Sequence, residues 1–237
     1  MVLRTGLRPF CPVKSNERTA AFFDLDNTLI SGSSFYYLVR GMVKRGLVNR
    51  RSIARFGLAH LRYAKKGEEN LQLISTVTKR ALNFISGRSQ AMLSDVCGEI
   101  VRDFLPNRIF PLMHHRIQEH KLLGHDTWLV TAAPREIAQI VAEEMGMSGA
   151  LGTRVATHEG LYTDELESLA MHGMEKSRAV RKIAEHHGYD LRKSFAYSDS
   201  INDLPLLMTV GRPITVNPNK ELKRIAAKNR WPVLQAS

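Results

Sequence analysis

The sequence predicts an α/β protein: a Rossmann-like core built on a parallel sheet, with a helical domain inserted near its start. Three observations carry this prediction. Short apolar blocks end in polar residues, helical periodicity alternates with such blocks from residue 107 onward, and an uninterrupted helical stretch follows the first block. With 237 residues, 43% of them hydrophobic, the chain can bury one large core and still carry an insertion.

The first block lies at 20–25 (AAFFDL) and is short, apolar and flanked by polar residues, as a central parallel strand is. Helical patterns then fill residues 34 to about 105, with breaks at Gly46–Asn49, Gly67 and Ser86–Gly87. Another helix is expected over 107–122, followed by a turn at Gly124–His125–Asp126 and a strand at 127–133 (TWLVTAA). Pro134 opens the next helix, whose Ile137, Ile140, Val141 and Met145 recur at helical spacing. Residues 151–163 (LGTRVATHEGLYT) read as a hairpin around His158–Glu159–Gly160. Lys176 begins a helix with the stripe Ala179, Val180, Ile183 and Ala184. A strand running into a loop follows at 194–200 (SFAYSDS), and 213–218 (PITVNP) is the last strand. The expected division is an N-terminal extension at 1–18, a core at 19–32 and 107–237, and a helical insertion at 33–106.

A net charge of +11 suits anionic partners: phosphorylated metabolites, nucleic acid or acidic lipid. Between Asn27 and Gly67 there is no acidic residue, whereas Arg40, Lys44, Arg45, Arg50, Arg51, Arg55, Arg62, Lys65 and Lys66 are basic; the plain reading is a solvated helical face. No run of apolar residues is long enough to span a bilayer and residues 1–18 lack a signal-peptide core, so a soluble, cytoplasmic protein is expected. Cys11 and Cys97 are far apart with no ligand-spaced histidine or cysteine near them, which argues for free thiols and against zinc. Neither the glycine-rich dinucleotide fingerprint nor a P-loop is present.

Asp24 and Asp26 sit two apart, on one face of a strand, where like charges repel. In a parallel sheet the carboxyl ends of the strands form one crevice. That crevice would collect Asp24, Asp26, Thr131, the region before Lys176, and Ser198–Asp199 leading to Asn202–Asp203. Mg²⁺ would offset the repulsion among Asp24, Asp26 and Asp199, since the donors are hard oxygens with few histidines nearby. Such a set suits phosphoryl transfer. One carboxylate attacks phosphorus, and the other protonates the leaving oxygen and later activates water. Thr131 and Ala132 hold phosphate oxygens, and a lysine neutralises charge.

The segments DLDNTL, LVTAA, EKSRAV and YSDSINDLPLL resemble the four motifs of the haloacid dehalogenase superfamily, in the order and spacing of its phosphatases. The helical insertion resembles the small cap of the phosphoserine-phosphatase-like branch. This resemblance implies that Asp24 is the nucleophile, Asp26 the general acid/base, Thr131 the phosphate-binding hydroxyl and Lys176 the neutralising lysine. It makes Asp199 a metal ligand beside Asp24 and the backbone carbonyl of Asp26, with Asn202 and Asp203 in support. Thr131–Ala132–Ala133 replaces the usual Ser-Gly-Gly, and Ser198–Asp199–Ser200 replaces Gly-Asp-Gly. The phosphoserine enzymes place a glutamate nine residues after the nucleophile, where this chain has Ser33. With Ser31 and Ser34, it points to a substrate site for a hydroxyl-bearing or neutral leaving group.

The activity expected is Mg²⁺-dependent hydrolysis of a small phosphorylated substrate, phosphoserine or another small phosphometabolite, through an aspartyl phosphate. One alternative is a lipid-phosphate phosphatase touching acidic membranes through the basic insertion, with Tyr36, Tyr37, Leu38, Phe56, Leu58 and Leu61 as apolar contacts. Another is a phospho-accepting signalling domain, against which the potential base Asp26 counts. No recognition motif accompanies the positive charge, so nucleic acid is not expected as a partner. Lys182 and Lys193 compete with Lys176. The adjacent pairs His114–His115 and His186–His187 lack ligand spacing and read as surface residues.

Overall fold

The computed structural model describes residues 18–48, 79 and 81–237. The strands are β1 (Ala20–Phe23), β2 (Asp126–Pro134), β3 (Gly149–Thr153), β4 (Val155–His158), β5 (Leu161–Leu166), β6 (Phe195–Ser198), β7 (Arg212–Val216) and β8 (Val233–Leu234). The helices are α1 (Ser34–Lys44), α2 (Gln90–Phe104), α3 (Pro111–Leu122), α4 (Arg135–Glu144), α5 (Met174–His187), α6 (Leu204–Leu207) and α7 (Lys220–Asn229), and residues 81–85 are also helical. Six strands form one parallel sheet in the order β3-β2-β1-β6-β7-β8, while β4 and β5 pair antiparallel.

The central place of β1 follows from its composition. All four residues are buried and apolar, so neither face of the strand tolerates water. Ala21 and Phe23 enter a core with Met113 and Ile117 of α3, Ile137 and Val141 of α4, and Ile100 of α2. Ala20 and Phe22 enter a second core with Val180 and Ala184 of α5, Leu206 and Leu207 of α6, and Leu222 of α7. Each buried phenylalanine contributes about 1.5–3 kcal/mol. Gly41 lets α1 and α2 approach, because a Cβ there would lie 2.6–2.8 Å from the Ile100 side chain.

Several expectations are corrected. Residues 151–153 do not begin the hairpin but belong to β3, which lies beside β2, and the hairpin is β4–β5. Gly152 permits that pairing, since a Cβ would stand 2.9 Å from Arg135 Cα and 3.0 Å from the Ala133 carbonyl oxygen. Pro134 ends β2 with extended backbone, and α4 starts at Arg135. The helix expected over 107–122 is interrupted: a 3-10 turn covers Leu105–Asn107, and α3 begins at Pro111 after Ile109 bridges to Ile30. The α5 helix starts at Met174, two residues before Lys176. Beyond β7 there is a further strand, β8. Arg18, the first described residue, bridges to Tyr189 and pairs with Asp126 at 2.5 Å.

Among the described residues no helix is long and apolar enough to cross a membrane. Of the apolar residues considered for a membrane contact, Leu38 is buried. Tyr37 stacks on Phe104 and donates its hydroxyl to the Ser31 carbonyl, while Tyr36 is exposed. Phe56, Leu58 and Leu61 lie outside the described residues, as do Cys11 and the basic positions from Arg50 to Lys66. Arg45 is paired with Glu99 and Asp103. Cys97 is a buried free thiol whose pKa burial pushes up to about 12.

Candidate active site

From β1 the chain passes to β2 and β3 on one side of the sheet and later returns to β6 on the other. The β1/β6 boundary is therefore the point where strand order reverses, and a crevice opens beyond the carboxyl ends there. Asp24 follows β1 directly, its N–H bonded to the Tyr197 carbonyl of β6 at 3.0 Å. Ser198 ends β6, Asp199 follows it, and Thr131 lies two residues past Leu129, the β2 partner of Phe23.

At the centre is a buried ion triad. Lys176 Nζ donates to Asp24 Oδ1 at 2.6 Å and to Asp203 Oδ2 at 2.7 Å, and all three side chains are at least nine-tenths buried. Ser198 Oγ, wholly buried, donates to the same Asp203 oxygen at 2.8 Å. Gly173 turns the chain into α5 with φ 54° and ψ −117°, which places Lys176 in the first turn of the helix. Burial alone would lower the lysine's pKa, but the charges and hydrogen bonds of Asp24 and Asp203 hold it above the ordinary lysine range. Lys182 and Lys193, the competing candidates, are exposed, and so are His114, His115 and His186.

Burial pushes the Asp24 carboxyl up, Lys176 opposes this, and Asp203 and Asp26 add to it. The Asp199 carboxyl is likewise raised, first by burial and then by the charges of Asp24 and Asp203. Asp199 Oδ1 receives the Thr28 hydroxyl at 3.4 Å, and its backbone carbonyl receives Asn219 N–H at 2.9 Å. One ammonium thus serves two buried carboxylates, with the half-buried Asp26 and Asp199 adding negative charge beside them, so the site is short of positive charge, and its donors are hard oxygens. Mg²⁺ fits such a set. Among the described residues no cluster of three histidine, cysteine, aspartate or glutamate side chains could hold a metal. Mg²⁺ does not need one, as it commonly takes one or two carboxylates and completes its shell with water and substrate phosphate.

Asp26 is held separately. A tight turn, in which Leu29 and Ile30 N–H both donate to the Leu25 carbonyl and Asn27 takes φ 54°, returns the chain toward Asp26. Asp26 Oδ1 accepts Ser34 N–H at 2.8 Å, and Oδ2 accepts the Ser33 hydroxyl at 3.2 Å. Burial raises the Asp26 pKa and the Ser34 N–H opposes the rise. The buried Ser34 hydroxyl lies near enough to depress it too, yet has no partner in hydrogen-bond geometry. Ser33, expected at the substrate, thus directs its hydroxyl at Asp26.

Of the other expected residues, Thr131 is buried and its oxygen accepts Ala133 N–H at 3.1 Å, while exposed Ala132 offers its carbonyl to Thr153. Asn202 bonds through N–H and Nδ2 to Ser200 Oγ, while Asp203 joins Asp24 in accepting from Lys176. Sequence reasoning placed Ser198 in the crevice without giving it a partner, and it missed Thr28. Their signal was a small hydroxyl residue at a strand end and another inside DLDNTL.

Residues 21–208 match the haloacid dehalogenase-like hydrolase family. The chain is 36% identical over 214 residues to "Phosphoserine phosphatase SerB1" of Mycobacterium tuberculosis, covering 90% of this chain and 70% of that protein. It is 28% identical over 221 residues to "Histidinol-phosphatase" of Neisseria meningitidis serogroup C, covering 92% of this chain and 98% of that one. Among solved structures, a protein of unknown function from Bordetella pertussis Tohama I superimposes with a TM-score of 0.79 at 27% identity, covering 92% of this chain and 98% of that chain.

Proposed function

The chain belongs to the haloacid dehalogenase-like hydrolase family and is a phosphatase, and from that premise we propose that it hydrolyses a small phosphomonoester through an aspartyl phosphate on Asp24, with Mg²⁺ as cofactor. The observation that carries this reading is the buried Asp24–Lys176–Asp203 triad at the sheet's reversal point, with Asp26 fixed two residues from the nucleophile. Lys176 occupies Asp24 Oδ1, which leaves Oδ2 to attack phosphorus. As the new O–P bond forms and the ester O–P bond breaks, Asp26 gives its proton to the departing oxygen. Water then attacks the phosphoaspartate, Asp26 takes a proton from it, and the Asp24–phosphorus linkage breaks to release phosphate. Thr131 and Lys176 face charge on the transferring phosphoryl oxygens. The cation, held by Asp24, Asp199 and the Asp26 carbonyl, would supply the remaining neutralisation of phosphate charge.

The test is phosphate release together with acid-stable trapping of labelled phosphate on the protein. Asp24→Asn should abolish both, whereas Asp26→Asn should keep substrate binding. Turnover by Asp24→Asn at the wild-type rate would overturn the mechanism.

On substrate, the names of the two relatives point to esters whose alcohol carries an ammonium group. The position that could pair with such a group holds Ser33, which is neutral and engaged with Asp26. A desolvated, unpaired ammonium costs about 1–3 kcal/mol, roughly fivefold to over a hundredfold in discrimination. We therefore propose a neutral or hydroxyl-bearing leaving group, with kcat/KM for glycerol phosphate or a sugar phosphate exceeding that for L-phosphoserine. A preference for L-phosphoserine would refute this choice of leaving group without touching the mechanism.

A further inference from the structure

Ser33 occupies the N-cap position of α1, with φ −109° and ψ 126°, and its carbonyl accepts the first helical N–H, from Tyr37, at 3.1 Å. A serine there ordinarily turns its side chain to accept an N–H from the first turn. This one makes no capping bond and donates its hydroxyl to Asp26 Oδ2 instead. Asp26, seven residues earlier, takes over the capping by accepting Ser34 N–H on Oδ1. The negative end of the exchange sits at the positive end of the helix, which stabilises the pairing.

This arrangement has a geometric result. The terminal torsion of an aspartate is broad, so one hydrogen bond to one oxygen leaves the carboxyl plane free to rock. Two donors on the two oxygens fix the plane, and with it the direction in which a proton can be delivered. We infer that Ser33 is a positioning residue that sets the carboxyl plane of Asp26 for proton transfer to the leaving oxygen, and is not a contact to the substrate. The inference rests on the acid/base reading of Asp26 given above. It also ties that group to α1: the acid is aligned only while the start of this helix is docked against the Asp26 turn.

The experiment compares kcat/KM, which reports steps through departure of the alcohol, for two esters. Glycerol phosphate releases a poor leaving group that needs the proton; p-nitrophenyl phosphate releases a stable anion that does not. Ser33→Ala should lower kcat/KM for glycerol phosphate about tenfold or more, mainly in kcat, and leave p-nitrophenyl phosphate nearly unchanged. Ser33→Thr, which keeps the hydroxyl, should restore the loss. Since Ser33 makes no capping bond, Ser33→Ala should fold, and Ser33→Gly, also accepted at helix N-caps, serves if it does not. Equal loss on both esters, a rise confined to the KM of glycerol phosphate, or no loss on either would overturn the inference. Asp26→Asn should show the same dependence on leaving group more strongly. If it did not, the acid/base reading would fall, and the role of Ser33 with it; retained activity in Asp24→Asn would instead strike the nucleophile.

Discussion

Lys176 stands between two carboxylates with almost no water in reach, and its removal is costly in two separate ways. Lys176→Met keeps the length and the apolar stem but leaves Asp24 and Asp203 buried without a counter-ion. Breaking such a pair costs about 3–5 kcal/mol, which for a chain of this size lowers Tm by roughly 6–20 °C. Adding Asp203→Asn should recover part of that stability while turnover stays lost, as thermal unfolding and phosphate release measured together would reveal. A Lys176→Met protein as stable and active as wild type would contradict the triad. At this scale the sequence was informative about the groups that strand ends carry, namely Asp24, Asp26 and Asp199. Lys176 could be chosen from its motif, but its burial could not be read, because Lys182 and Lys193 share its chemistry. Ser33 was placed by counting from Asp24, and counting cannot see the turn through Asn27 that carries its hydroxyl back to Asp26.

The α3 helix shows how an element can carry a polar group into a core. It buries Met113, Ile117 and His120 along one stripe, and the imidazole meets the sheet edge-on to Phe23 and Phe195. His120 Nε2 lies 2.8 Å from the Tyr197 hydroxyl and Nδ1 lies 2.9 Å from His125 Nδ1, so both ring nitrogens are satisfied in the neutral form. Burial, and then His125, press its pKa down to about 4, with Glu119 pulling up and Arg116 pressing down; Arg212 faces His125 from β7. Below pH 6.5 the unfolded chain binds a proton here that the folded protein refuses until about pH 4, so this contribution to stability is complete above that window and lost through it. The Tm of His120→Gln should accordingly fall less steeply than wild type between pH 7 and pH 4.5; parallel slopes would count against the buried neutral ring. The sequence could not mark His120, because a histidine on an apolar stripe looks like any other polar residue near a helix end. Element ends were misjudged where context decided. Pro134 can start a helix or finish a strand, and the pairing of 149–153 with β2 depends on Gly152 meeting residues that only the fold brings near.

For the molecule as a whole, the proposed cation would bind the folded chain and not the unfolded one, so it is also a stabiliser. At a Mg²⁺ concentration about a hundredfold above its Kd the gain is about 2.7 kcal/mol, and EDTA should remove it along with activity. Asp199→Ala should lose most of that gain, whereas hydrolysis and Tm that ignore EDTA would exclude the site. Parallel α/β architecture was legible because helices and apolar blocks alternate along the chain. Strand order was not, since which strand lies beside which is settled by partners far apart in sequence. That distance has a price during synthesis. Ala21 pairs with Thr127 on one side and with Phe195 on the other, so this early strand waits for two partners that are made much later. At about 5–20 residues per second, AAFF waits on the order of ten seconds after leaving the ribosome before both neighbours exist. In that interval two phenylalanines that end at zero exposure are open to solvent and to other nascent chains. The central strand that leads into Asp24 is thus left without its neighbours for most of synthesis, and its own pairing waits on β6.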